Sequence, residues 1–90
     1  LTVESFGLSE SRSALITGAV KSGTNITYTA VNNFSVGQKV TVTGINPESF
    51  GISAKTITAV TPTSFTVGGV EGSLGTYTTG GVAVAFTSLN

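Results

Sequence analysis

The sequence has no cysteine, no histidine, no aspartate, no methionine and no tryptophan. Each absence removes some chemistry. Without cysteine there is no disulfide, no thiolate nucleophile, no thiolate metal site and no redox switch. Without histidine, the usual base beside a nucleophilic serine or threonine is missing. Lys21, Lys39 and Lys55 are the remaining candidates for that role, yet each lies among polar residues at an ordinary strand or turn position. Two-carboxylate chemistry has only Glu4, Glu10, Glu48 and Glu71 to draw on. Two of these lie near the start and two in predicted loops, so they read as solvated surface groups. No aspartate-rich loop offers the clustered oxygens that calcium needs. "GGVEGSLG" is glycine-rich but lacks the glycine–lysine–serine of a phosphate loop, and no helix pattern follows it. The residues therefore predict no enzyme, no cofactor, no metal site and no small-molecule substrate.

Charge is scarce as well. Charged residues make up 9% of the chain and the formal net charge is zero, against about 25% in ordinary soluble domains. Three lysines and one arginine against four glutamates give no positive footprint for nucleic acid. Disorder does not account for the shortage, because disordered chains are rich in charge and poor in branched apolar residues. Nor does a membrane span, because serine, threonine and glycine interrupt every apolar run long before about 18 residues. Two readings stay open: a hydroxyl-rich surface partly covered by neighbours, or a neutral threonine surface facing water. Leu1 is expected to mark a trimmed chain. Glu4 and Glu10 interrupt the apolar core that a secretory signal needs.

What is present is β-pattern. Ninety residues predict one domain. Residues 1–13 read as an N-terminal arm with Leu1, Val3, Phe6 and Leu8 on an apolar side, broken at Gly7. The arm is either a strap onto a neighbouring subunit or a tail packed on its own domain. Residues 14–90 read as a single β domain. "SALITGAV", "NITYTAV", "QKVTVTG", "KTITAV", "SFTVG" and "GGVAVAF" are short strands separated by glycine, asparagine and proline signals. Ile26, Tyr28 and Ala30 are expected on one face, as are Val40 with Val42 and Phe65 with Val67. Pro62 is preset for a turn corner, and Pro47 cannot sit inside a central strand. Phe50, in the loop after Pro47, is expected to close the core like a lid. Val82, Val84 and Phe86 are expected on one face of the last strand and Ala83 with Ala85 on the other, outer face, where the alanines hint at a second covering surface inside or outside the subunit. The stretch from Gly68 to Gly81 holds six glycines in fourteen residues. It is expected to be mobile, or to be ordered by a partner. Tyr77 within it is the single candidate platform for carbohydrate or contact. The predicted fold is all-β, a small barrel of about six short strands, with an Ig-like sandwich as the alternative. The glycosylation patterns "NIT" at Asn25 and "NFS" at Asn33 are expected by chance in so threonine-rich a chain.

The order of signals from Gly23 to Val84 resembles a repeat-like β domain of tailed-bacteriophage virion proteins. That pattern is related to the first catalytic-cysteine half-domain, a small β-barrel, of ubiquitin-activating enzymes. Val36, Gly37, Val40, Val42 and Gly44 match the first core motif. Val60, Phe65, Thr66 and Val67 match the second, and Gly81, Val82 and Val84 the last. Gln38 stands where an acidic residue is usual, and "FGISAKT" where "YNGT" is common. Residues 1–13 lie outside the match. The resemblance implies a non-enzymatic virion part, such as a head decoration protein, a tail protein or a fibre module. Its partners would be other virion proteins and copies of itself, on the particle surface or tail, with no nucleic acid and no membrane. The expected contact residues are Leu1, Val3, Phe6, Leu8 and Tyr77. The alternative is a receptor- or carbohydrate-binding module of a bacterial surface protein or fibre.

Overall fold

The computed structural model describes residues 10–87. Seven antiparallel strands form one sheet in the order β1-β7-β4-β5-β6-β3-β2. They are β1 (Glu10–Leu15), β2 (Gly18–Ser22), β3 (Asn25–Thr29), β4 (Lys39–Asn46), β5 (Ile52–Thr61), β6 (Ser64–Val67) and β7 (Thr79–Thr87), with a 3₁₀ turn at Glu48–Phe50. The all-β reading stands. The closed barrel does not, and the described residues hold seven strands where about six were expected. Both differences arise at Ile16 and Thr17. "SALITGAV" holds parts of two strands, because the chain changes partners there. The Ile16 amide donates to the Gly81 carbonyl, and the next amide, Thr17, donates to the Thr29 carbonyl. β2 therefore continues away from β1 instead of turning back to pair with it. The two edges of the sheet are joined by backbone rather than by a ladder.

β5 makes the second bend. Its first half pairs with β4, from Val42↔Ile52 to Lys39↔Thr56. Its second half pairs with β6, from Ile57↔Val67 to Thr61↔Ser64. A bulge between Val40 and Val42 turns the strand. Ala54 takes φ 49° there, and its amide donates to the Thr41 hydroxyl at 3.0 Å. Hairpin geometry follows the residue types. β2 and β3 are joined through Gly23, at φ 63°, in the first position of a two-residue turn where a primed turn needs positive φ. β5 and β6 are joined through Pro62 and Thr63.

Both halves of the sheet face one core. Ile26, Tyr28, Ala30, Val40, Val42, Phe65 and Val67 are buried, as the alternation predicts. Tyr28 and Phe65 are cross-strand partners whose rings stack with centroids 5.0 Å apart, and Phe34 meets Phe65 edge-on at 5.2 Å. Phe50 is buried and closes the core, and its carbonyl accepts the Tyr28 hydroxyl.

Strand β7 corrects the sequence reading. Ala83 and Ala85 face the core and are fully buried, while Val82 and Val84 face outward. The reason is room. A Cβ on Gly81 would lie 3.2 Å from the Cβ atoms of both Ile16 and Ile45. β7 crosses the core where isoleucines already fill it, so only small side chains fit inward. Residues 10–13, assigned to the arm from sequence, belong to β1, which pairs with β7 from Glu10↔Thr87 to Leu15↔Val82.

Candidate functional site

The outward face of β1, β7 and β4 is the most distinctive surface among the described residues. Its side chains align in cross-strand rows. Leu15 opposes Val82, which opposes Thr43; Ser13 opposes Val84, which opposes Thr41; Phe86 opposes Lys39. Leu15 is 72% exposed, Val82 38% and Val84 39%. Phe86 is half-buried. Lys39 is the one charged side chain in these rows, and its ammonium contacts the Thr56 hydroxyl at 3.0 Å. Next to Leu15 the surface dips into a groove of about 510 Å³ lined by Leu15, Thr17, Thr29, Val31 and Thr63. Val31 is 79% exposed.

The other half of the sheet differs. On β3 and β6 the outward residues are hydroxyls that satisfy one another. Thr27 and Thr66 are cross-strand partners with oxygens 3.0 Å apart, and the Thr61 and Ser64 hydroxyls meet at 2.8 Å. Such pairs suit water on the outside. The rows of β1 and β7 instead expose Leu15, Val82 and Val84, while β2 exposes Val20 beside Thr27; exposed apolar side chains grouped as on β1 and β7 make a candidate contact surface.

Of the contact residues expected from sequence, Leu1, Val3, Phe6 and Leu8 lie outside the described residues. Tyr77 is half-buried and packs against the core. Its hydroxyl donates to the Gly80 carbonyl at 2.9 Å and lies 3.3 Å from the Ile16 carbonyl. The glycine-rich stretch around it is fastened to its own domain. Val70 donates to the Thr24 carbonyl and Thr78 to the Asn46 carbonyl. The Ser49 hydroxyl donates to the Leu74 carbonyl at 2.6 Å, and Val70, Leu74 and Tyr77 pack on the core. This loop, with β2 and Phe50, borders an open cleft of about 690 Å³ whose only charged lining residue is Lys21.

The groups considered for catalysis are dispersed. Lys21 contacts the Gly23 carbonyl and Lys55 lies 3.4 Å from the Gly69 carbonyl. Glu48 and Glu71 are exposed. Among the described residues no three metal-ligating side chains cluster, and no helix is long and apolar enough to cross a membrane.

Sequence reasoning missed Leu15 and inverted β7. No local signal decided either, because the crowding that sets the face comes from distant segments. A strand alternating alanine with valine beside a double glycine buries its small residues when isoleucines cross it. Compared with family models, with curated proteins and with solved structures, the chain matches none of them.

Proposed function

We propose that this chain is a non-enzymatic structural or accessory component of a tailed-phage virion, a head decoration or a tail or fibre part, that works by adhesion between subunits. The observation that carries the adhesion is the outward face of β1, β7 and β4. Its rows are apolar or hydroxyl-bearing and hold one charge, so a partner covers them without the several kcal/mol that burying each unpaired ion costs. The virion part of the reading rests on the motif resemblance in Val36–Gly44, Val60–Val67 and Gly81–Val84. A stable specific interface needs about 800 Å² from each partner, more than these rows offer alone, so further contacts must add to them.

Sedimentation of the purified chain from low to high micromolar concentration tests the adhesion. The expected outcome is concentration-dependent association; a monomer at every concentration overturns it. Electron microscopy of particles with and without the protein tests the virion assignment. The competing reading, a receptor- or carbohydrate-binding module, is favoured by the cleft beside Tyr77. A glycan panel that retains the isolated chain would support that module instead.

A further inference from the structure

The cleft beside the glycine-rich stretch lies where the barrel fails to close. β2 is an edge of the sheet, and with residues 72–77 it borders the cleft. Ser22 and Asn25 flank a two-residue turn, so Ser22, Val20 and Gly18 take the narrow pairs with β3. The N–H and C=O groups of Ala19 and Lys21 therefore point away from β3, and no described residue bonds them. The amides of residues 71–77 and the hydroxyls of Ser73 and Thr76 also find no partner among the described residues. Yet this stretch is fastened at Val70, Leu74, Tyr77 and Thr78. Donors and acceptors held in place beside a cavity of about 690 Å³ are what a polar ligand meets without reordering the protein.

The cleft stands apart from the rest of the surface. The segments outside the described residues join at Glu10 and Thr87, which pair at the far end of β7. Thr79 starts that strand beside the loop, so its nine residues set about 26 Å between those two points and the cleft. The cleft also shares no residue with the outward rows of β1, β7 and β4, so adhesion there leaves it open.

The lining narrows the choice of ligand. Leu74 and Tyr77 give it an apolar part, and the Tyr77 ring is fixed by its hydroxyl on the Gly80 carbonyl at 2.9 Å. The unpaired groups around them both donate and accept, as sugar hydroxyls do, whereas a simple carboxylate only accepts. Lys21 is the one charge and no carboxylate lines the cleft. Its ammonium contacts the Gly23 carbonyl and has further N–H donors to spare. Resting on the carbohydrate reading above rather than on the adhesive one, we infer that this cleft binds a carboxylate-bearing sugar. Lys21 takes the carboxylate, the loop amides and hydroxyls take the ring hydroxyls, and Tyr77 with Leu74 meets the C–H face.

An amide NMR titration of the nitrogen-15-labelled chain tests it, at constant sodium chloride. The probes are glucuronate against glucose and sialyllactose against lactose. The acidic member of each pair is expected to shift the amides of Ala19, Lys21 and residues 72–77, and to bind about tenfold tighter than its neutral partner, the worth of one charge-assisted bond. Lys21→Gln should erase that preference while the rest of its spectrum stays in place; Lys55→Gln, outside the cleft, should keep it. Acidic sugars that shift only amides elsewhere overturn the inference. So does acetate that reproduces the glucuronate shifts, and so does a preference that survives Lys21→Gln. Neutral sugars that bind as well as acidic ones sink this inference and leave the carbohydrate reading standing. If no sugar shifts the cleft amides, both fall and the adhesion reading is untouched.

Discussion

Two side chains carry more of the fold than their size suggests. Tyr28 is fully buried and its hydroxyl donates to the Phe50 carbonyl, which holds the lid shut. Burial pushes its phenol well above the ordinary value of 10.0. A folded-state pKa above the unfolded one means the unfolded chain releases the proton first. This contribution is therefore full below about pH 10 and declines as pH rises beyond it. Tyr28→Phe is expected to cost about 1–3 kcal/mol at neutral pH by orphaning a buried carbonyl, and to flatten the alkaline decline. Urea unfolding at pH 7 and pH 11 reads both; equal pH slopes in the two proteins would contradict the assignment. Asn32 is the second case. Its amide nitrogen donates to the carbonyls of Ala30, Thr61 and Ser64, and its oxygen accepts the Phe34 amide at 2.9 Å. Asn32→Ala should cost about 2 kcal/mol and loosen Phe34, visible as a lower denaturation midpoint. Tyr28 was legible as a core residue from alternation alone. The role of Asn32 was legible only as a turn signal, because its partners lie some thirty residues away in sequence.

The elements show where local pattern is enough and where it is not. Strands with clean alternation, β3, β4 and β6, face as their sequences predict, because one apolar face and one hydroxyl face leave a single choice of side. β7 is apolar on both sides, so hydrophobicity could not choose. Volume chose, through isoleucines contributed by distant segments. The split of "SALITGAV" into two strands is marked only by Gly18, the first residue of β2, because Ile16 and Thr17 change partners without a turn. The same crowding makes the double glycine of β7 irreplaceable. A Cβ on Gly80 would lie 2.7 Å from the Gly44 carbonyl oxygen at φ 82°. Gly80→Ala is therefore expected to cost about 3 kcal/mol or more, from positive-φ strain and displaced backbone together. Gly72→Ala, at φ 86° with nothing within 4 Å, should lose only the strain. Thermal unfolding of the pair separates the two contributions.

For the whole molecule, the proposed adhesion makes a prediction about solvent. An uncharged face should associate almost independently of sodium chloride, because there is little to screen, and more strongly in sulfate, which favours apolar burial. Val82→Ser with Val84→Ser should abolish association in sedimentation while shifting the unfolding free energy by no more than about 1 kcal/mol, since both side chains are already part-exposed. A large loss of stability would mean the valines serve the fold. The scarcity of charge announced such a face, but its location was not legible, because it depends on which side of β7 the core occupies. The pairing of Glu10 with Thr87 carries one last consequence, a mechanical one. These residues sit side by side on neighbouring antiparallel strands, so a load pulling them apart meets the hydrogen bonds one after another, as in a zipper. If the protein is tethered at both points, tension should peel β1 from β7 at low force.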